Sequence, residues 1–338
     1  MNIGPVSHSL REISVVEPVN SAFERVKQML FRPFNLAKWF TIGFCAWLAS
    51  LGESGAQFNS GNYFGNNSSA KPNEELHHYY NQAHDYVLAN LYWIIPVAVF
   101  LVIFSLVLWL VLLWLNSRGK FMFVHCVALD KAEVSAPWHK FRESANSLFL
   151  FRVVLGIAAM ILLLPPLAVV GLLIFRMISH GEPNVAAILI IAGLAMLFIL
   201  FAIIFAIIQK FTADFIVPIL FLRGDKCLAA WKEFWGLLRA HAGTFTLYIL
   251  FQIVIGMAIG VIVLMAVLIT CCLAGCLMLL PYIGTVLLLP VLVFKRAYSL
   301  YFLQQFGAAY DVFPPASTAT PAVSGLQPLT ETPPPPTA

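Results

Sequence analysis

Long apolar runs, set apart by short amphipathic segments, make up the pattern of this chain. Leu91–Leu115 holds 25 consecutive residues without a charge, enough to cross a hydrocarbon core of ~30 Å with some tilt. Trp93 and Trp114 stand near its two ends, where an aromatic belt places such rings. Phe245–Phe294 holds 50 uncharged residues; as one helix it would extend for about 75 Å, more than twice the apolar thickness of a bilayer. It is therefore predicted to form two spans, turning near Thr270–Gly275. Phe34–Leu51, Leu148–Phe175 and Val185–Gln209 complete a set of six. Pro165 and Pro166 are expected to break or kink the third, and Pro281 and Pro290 fall in the sixth, which ends at Lys295-Arg296.

Three amphipathic helices alternate with these runs. In the first, over 21–32, Ser21 to Glu24 fits a capping box, Phe23, Val26 and Leu30 share a face, and Pro33 ends the helix. The second opens at Ser135 with Pro137 in its first turn, and its apolar face is Trp138, Phe141, Ala145 and Leu148. The third follows Asp225, a candidate N-cap; Leu228, Trp231, Phe234, Trp235 and Leu238 share its face, and His241 and Gly243 fit its end. Just before it, Phe215–Leu222 is apolar but too short to span and carries Pro218, so a re-entrant or interfacial segment is expected. The segments Ala22–Val26, Pro137–Phe141 and Ala230–Phe234 share an aromatic-polar-polar pattern, and each precedes a membrane run. A threefold repeat of amphipathic helix plus hairpin, about 12–115, 116–209 and 210–313, accounts for this.

Composition and charge sharpen the picture. Of the 338 residues, 60% are hydrophobic and 11% charged, against about half and about a quarter in a soluble domain. The fold class predicted is all-α, a polytopic bundle of six transmembrane helices with three cytoplasm-side amphipathic helices. Seventeen Lys and Arg residues fall at 11–38, 118–142, 210–239 and 295–296, against Lys71 and Arg176 on the other side. The positive-inside rule then places both termini in the cytoplasm, in a multi-pass protein of the cytoplasmic membrane. The N-terminus lacks a basic region followed by an apolar one, so the first span is expected to target the chain. A net charge of +4 does not point to nucleic acid. The membrane domain is read as 1–313, with an extracytoplasmic Gly/Asn/Ser-rich loop at 52–90 and a disordered Pro-rich cytoplasmic tail at 314–338.

Candidate chemistry is sparse. His77, His78, His84 and Asp85 form a weak ligand-like cluster, with His77 and His84 two turns apart rather than one, so no metal is assigned. Arg152 lies about a turn inside the third span and is expected to snorkel toward headgroups. Lys210 and Asp214 have the spacing of a helical ion pair. Cys271, Cys272 and Cys276 sit at the outer turn as buried thiols, or as a disulfide if that side is oxidising. With no phosphate loop, HExxH or GxSxG in the chain, no catalytic residue and no cofactor is assigned.

The segments Ala213–Phe234, Leu288–Phe313 and Ala22–Phe40 resemble uncharacterised prokaryotic multi-pass membrane proteins. These are related in architecture to the membrane domain associated with glycerophosphoryl diester phosphodiesterases. The resemblance implies a six-span helical domain of unknown activity, without the phosphodiesterase barrel. The expected role is non-enzymatic: membrane organisation, lipid interaction or support of a membrane-protein partner. A small-solute transporter or channel, with a cavity near Pro165-Pro166 and Pro281, is the alternative.

Overall fold

The computed structural model describes residues 13–51, 90–180, 185–270, 273–278 and 280–313. The predicted loop at 52–90 (save Asn90), the tail at 314–338, the His77/His78/His84/Asp85 cluster, Cys271, Cys272 and the side chain of Cys276 lie outside the described residues. What is described is all-helical, with no strand among it. In order come α1 (Glu17–Val26), α2 (Leu36–Ser50), α3 (Leu91–Leu129), α4 (Ser135–Lys140), α5 (Arg142–His180) and α6 (Val185–Phe211). Then follow α7 (Val217–Arg223), α8 (Cys227–Ala240), α9 (Ala242–Ile269), α10 (Leu273–Met278), α11 (Pro281–Leu287) and α12 (Leu289–Gln304).

Among the described residues four helices are long and apolar enough to cross a membrane: Leu91–Leu129, Arg142–Met177, Val185–Arg223 and Ala242–Ile269. None of the residues in their most apolar stretches is buried by the protein. These stretches stand free of a separate buried core built from the polar ends of the same helices together with the short ones. α3 shows the change most sharply. Its 39 residues extend for about 58 Å; Leu91–Trp109 is almost wholly exposed, whereas Asn116–Ala128 is buried without interruption.

The first and sixth predicted spans take other forms. α2 has 15 residues, about 22 Å, short of a bilayer core. It lies antiparallel to the buried end of α3, with Lys38 Nζ 2.9 Å from Asp130 at one end and the Leu48–Ala49 backbone against Gly119 at the other. The sixth run is divided into α11 and α12, each with a proline in its first turn, where the missing N–H costs nothing. α11 is pinned to α2 by the Trp39 indole N–H donating to the Val286 carbonyl (3.0 Å) and the Tyr282 hydroxyl donating to that of Phe40 (3.0 Å). By contrast α5 continues through Pro165 and Pro166 as one helix.

Helix ends and faces depart from expectation in instructive ways. α1 starts a turn before Ser21, with Pro18 in its first turn and the Ser14 hydroxyl accepting from the Val16 and Glu17 amides. Its buried face is Ala22, Val26, Met29 and Leu30, leaving Phe23 exposed. Pro33 does end the helix, after a π turn over Lys27–Phe31. The second face is as predicted: Phe141, Ala145 and Leu148 are buried and Trp138 half-buried. Phe215–Leu222 is neither re-entrant nor interfacial. It continues α6 through a π turn, Thr212–Ile216, into α7 and is buried nearly throughout. The Val217 amide reaches back to the Thr212 carbonyl, five residues away, a widening that eases the clash of the Pro218 ring with the preceding turn.

Asp225 is not the cap of α8. The Cys227 amide donates instead to the Ser147 hydroxyl on α5, at 2.9 Å, so a neighbouring helix supplies the cap. Ser147→Ala is expected to cost about 1 kcal/mol, and Asp225→Ala less than about 0.5 kcal/mol. Thermal unfolding of both variants in detergent checks this, and a larger loss for Asp225→Ala would reverse the assignment. Arg223 forks onto Glu233 (Nη2–Oε1 2.6 Å, Nε–Oε2 3.1 Å) and holds that carboxyl below its ordinary range.

Interlocked aromatic rings fill the middle of the core. Phe215 lies 5.0–5.3 Å from Phe234, Phe245 and Tyr248, and Tyr248 lies 4.5 Å from Phe302. The rings come from the π turn after α6 and from α8, α9 and α12. Beside them Arg118 is stacked between Trp114 and Trp138, 4.6 and 4.7 Å from the ring centres. This gives a buried guanidinium the faces of two electron-rich rings.

Candidate functional site

A polar layer lies where the free apolar stretches meet the core. Asn116 is the first polar residue after the uncharged run of α3, and Gln209 closes the uncharged run of α6. Arg152 lies ten residues into α5. The three meet. The Arg152 Nη1 group donates to the Asn116 amide oxygen, and its Nε and Nη2 groups both donate to the Gln209 amide oxygen, at 3.3 Å each. The Asn116 amide nitrogen donates in turn to the carbonyls of Ala49 (2.6 Å) and Leu51 (2.8 Å), which the end of α2 leaves without helical partners. Arg152 is therefore not a snorkelling side chain. It is 6% exposed and cross-links α3, α5 and α6.

A cleft of about 330 Å³ opens over this trio, and Trp109, Leu113, Gly156 and Phe205 form its apolar walls. Gly156 leaves room for Trp109: a Cβ there would already touch the indole at 3.5 Å. The cleft thus pairs an apolar mouth with a guanidinium floor. It lies at Asn116, Arg152 and Gln209, not at Pro165-Pro166.

A second polar centre lies deeper. The Asp214 carboxylate meets Lys210 Nζ at 2.8 Å, the ion pair its spacing predicts, and accepts from the Tyr248 hydroxyl at 2.9 Å. Gln252 donates to that hydroxyl at 3.0 Å, and Arg296 donates to the Ala213 carbonyl at 2.7 Å. The aromatic rings close around this network, which ties the π turn to α9 and α12. Its bonds are used within the core.

Among the described residues the cysteine side chains are also buried. Cys45 and Cys126 bring their sulfurs to 3.8 Å between α2 and α3. The Cys227 thiol is pushed up to about 12 by burial. Among the described residues no three His, Cys, Asp or Glu side chains converge as a metal site would require. Asn116 and Gln209 escape a sequence reading because neither is charged, although both occupy the core-side end of a 25-residue apolar run.

Helices of this length and apolarity, with their hydrophobic stretches unburied, define the class: a helical integral membrane protein. The chain matches the family of unknown function DUF7544 over residues 13–280 and belongs to it. No curated protein and no solved structure matches it.

Proposed function

We propose that the protein is a non-enzymatic component of the cytoplasmic membrane, with both termini in the cytoplasm, that works by binding membrane lipid. The observation that carries this reading is the cleft at the polar layer, whose apolar mouth lies among unburied membrane helices and whose floor is the Arg152 guanidinium. A bilayer places lipid tails against such walls and headgroups against such a floor. The basic residues at 118–142, 210–239 and 295–296 support the orientation, since each Lys or Arg near an anionic leaflet adds roughly 1 kcal/mol of attraction. Leu228 and Trp235 of α8 are exposed and fit an interfacial contact.

Six passages through the membrane remain the proposed topology, with the segments before α3 and after α9 adding two to the four long helices. The resemblance to the membrane domain associated with glycerophosphoryl diester phosphodiesterases supports this architecture and carries no activity. Organisation of the membrane, or support of a partner within it, is the role such a lipid-bound scaffold would serve.

Lipid extraction after purification in mild detergent tests the reading. Phospholipid is expected to remain at about one molecule or more per chain after washing that strips a lipid-indifferent membrane protein of similar size. A lipid-free preparation that stays folded would remove the basis for the proposal.

A further inference from the structure

We propose that Arg118, with Arg142 beside it, is a site for the phosphate of an anionic glycerophospholipid of the cytoplasmic leaflet. This deepens the lipid-binding reading and rests on it, at a place other than the cleft over Arg152. The first observation is a guanidinium whose hydrogen-bond donors are unspent. Arg118 is 8% exposed, and its Nε is sealed from the surface with no acceptor among the described residues. Its two Nη groups make no hydrogen bond among the described residues either. They are not sealed in as Nε is, so they are the open part of the group. Trp114 and Trp138 stand at 90° to one another and wall the guanidinium on two sides. Ring faces stabilise its charge without taking its in-plane N–H bonds. Elsewhere such donors are used within the protein: Arg25, Arg152 and Arg296 direct theirs at carbonyl or amide oxygens. A donor enclosed without an acceptor is costly, and phosphate is the group that a guanidinium edge grips in a fork.

Charge and depth point the same way. The charge that acts on Arg118 is a second cation, Arg142, the exposed first residue of α5. Among the described residues neither is paired with a carboxylate. Two cations without a counter-charge favour a ligand of net negative charge over one whose phosphate is offset by choline. Arg118 lies three residues beyond Leu115, the last of the uncharged run, about 4.5 Å farther along the helix. That is the headgroup layer just outside the hydrocarbon core, where tryptophans gather. One, two and three turns back on the same face of α3 come Trp114, Val111 and Val107, and both valines are exposed. An acyl chain therefore has an apolar stripe to follow from the phosphate into the bilayer.

Two substitutions separate binding from folding. Arg118→Lys keeps a cation against the tryptophan rings and loses the fork. Arg142→Gln removes the second cation from an exposed position, so it decides alone if Arg118→Lys does not fold. Arg32→Gln, also at an exposed position, is the control for loss of one charge. The full chain in detergent is titrated with phosphatidylglycerol, phosphatidylcholine or inorganic phosphate and read by native mass spectrometry, with thermal unfolding run in parallel. The wild type is expected to prefer phosphatidylglycerol over phosphatidylcholine about tenfold. For phosphatidylglycerol, Arg118→Lys is expected to lose about tenfold in affinity and Arg142→Gln about fivefold, while Arg32→Gln stays within about twofold. Unchanged affinity in either folded site variant, or an equal loss in the control, would overturn the site and leave general lipid binding standing. Equal affinity of the wild type for the two lipids would do the same. No lipid retained by the wild type would remove both the site and the reading beneath it. Displacement of phosphatidylglycerol by millimolar inorganic phosphate would overturn the lipid as the source of the phosphate.

Discussion

Gly119→Ala is expected to destabilise the protein by about 3 kcal/mol, near the upper end of the usual cost of overpacking, whereas Gly43→Ala should cost about 1 kcal/mol. Both glycines lie where helices approach closely, and they differ in what a methyl group would meet. A Cβ on Gly119 would lie 2.4 Å from the Leu48 carbonyl carbon and 2.5 Å from the Ala49 nitrogen. Those are backbone atoms in the last turn of α2, so relief requires that end of α2 to move away from α3. A Cβ on Gly43 would meet the Cγ2 methyl of Val286 at 2.7 Å, and a side-chain tip can rotate aside. Close approach through small residues is the usual way apolar helices associate when no water drives them together. Thermal unfolding in detergent reads both variants. Equal, small losses would show that α2 is not held where the structure has it.

The second large effect belongs to the ring cluster. Phe234→Ala is expected to cost ~3–5 kcal/mol, while Trp235→Ala changes stability by less than about 0.5 kcal/mol. Phe234 is 0% exposed against Phe211, Phe215 and Phe245, whereas Trp235 beside it is 48% exposed. Removing the first opens a cavity lined by Phe211, Phe215 and Phe245; removing the second withdraws a ring from the surface. A Trp235→Ala variant that unfolds as readily as Phe234→Ala would put the buried face of α8 elsewhere. If Trp235 is an interfacial contact, its loss should instead weaken binding to anionic vesicles.

The apolar runs at 91–115, 148–175, 185–209 and from 245 were legible as membrane helices because length and absence of charge decide that question almost alone. The buried core was much less legible. Asn116, Arg118, Lys120 and His125 read as a cytoplasmic loop, yet they belong to a helix buried over Asn116–Ala128. Two of them are met by groups outside that stretch: the carbonyls at the end of α2 for Asn116, and the Trp138 ring, together with Trp114 one turn away, for Arg118. Periodicity sees only neighbours. The same limit explains Asp225, which has the right letter for a cap while Ser147, 80 residues away, does the capping. Phe23 and Leu228 share apolar faces with residues that the core buries, yet both are exposed, and a membrane protein can leave such residues facing lipid at no cost. The Arg152 site shows both sides. The arginine was noticeable as a charge within an apolar run, but the side chains it meets on α3 and α6 are uncharged amides.

The joining of α1 to α12 has a consequence for how the protein is made. The Ser14 amide donates to the Gln305 side chain at 2.8 Å, Gln305 donates back to the Ser14 carbonyl at 2.9 Å, and the Tyr298 hydroxyl donates to the Val15 carbonyl. The first two bonds bridge 291 positions. α1 therefore waits until α12 has been made before its apolar face has this partner, and the four long helices of the described residues are inserted in the meantime. Loop closure on that scale makes the last step of folding the slow one. It also gives the ribosome-bound chain an exposed hydrophobic strip, Ala22 through Leu30, until α12 follows. The closing helix lies beyond residue 280, where the match to the family ends.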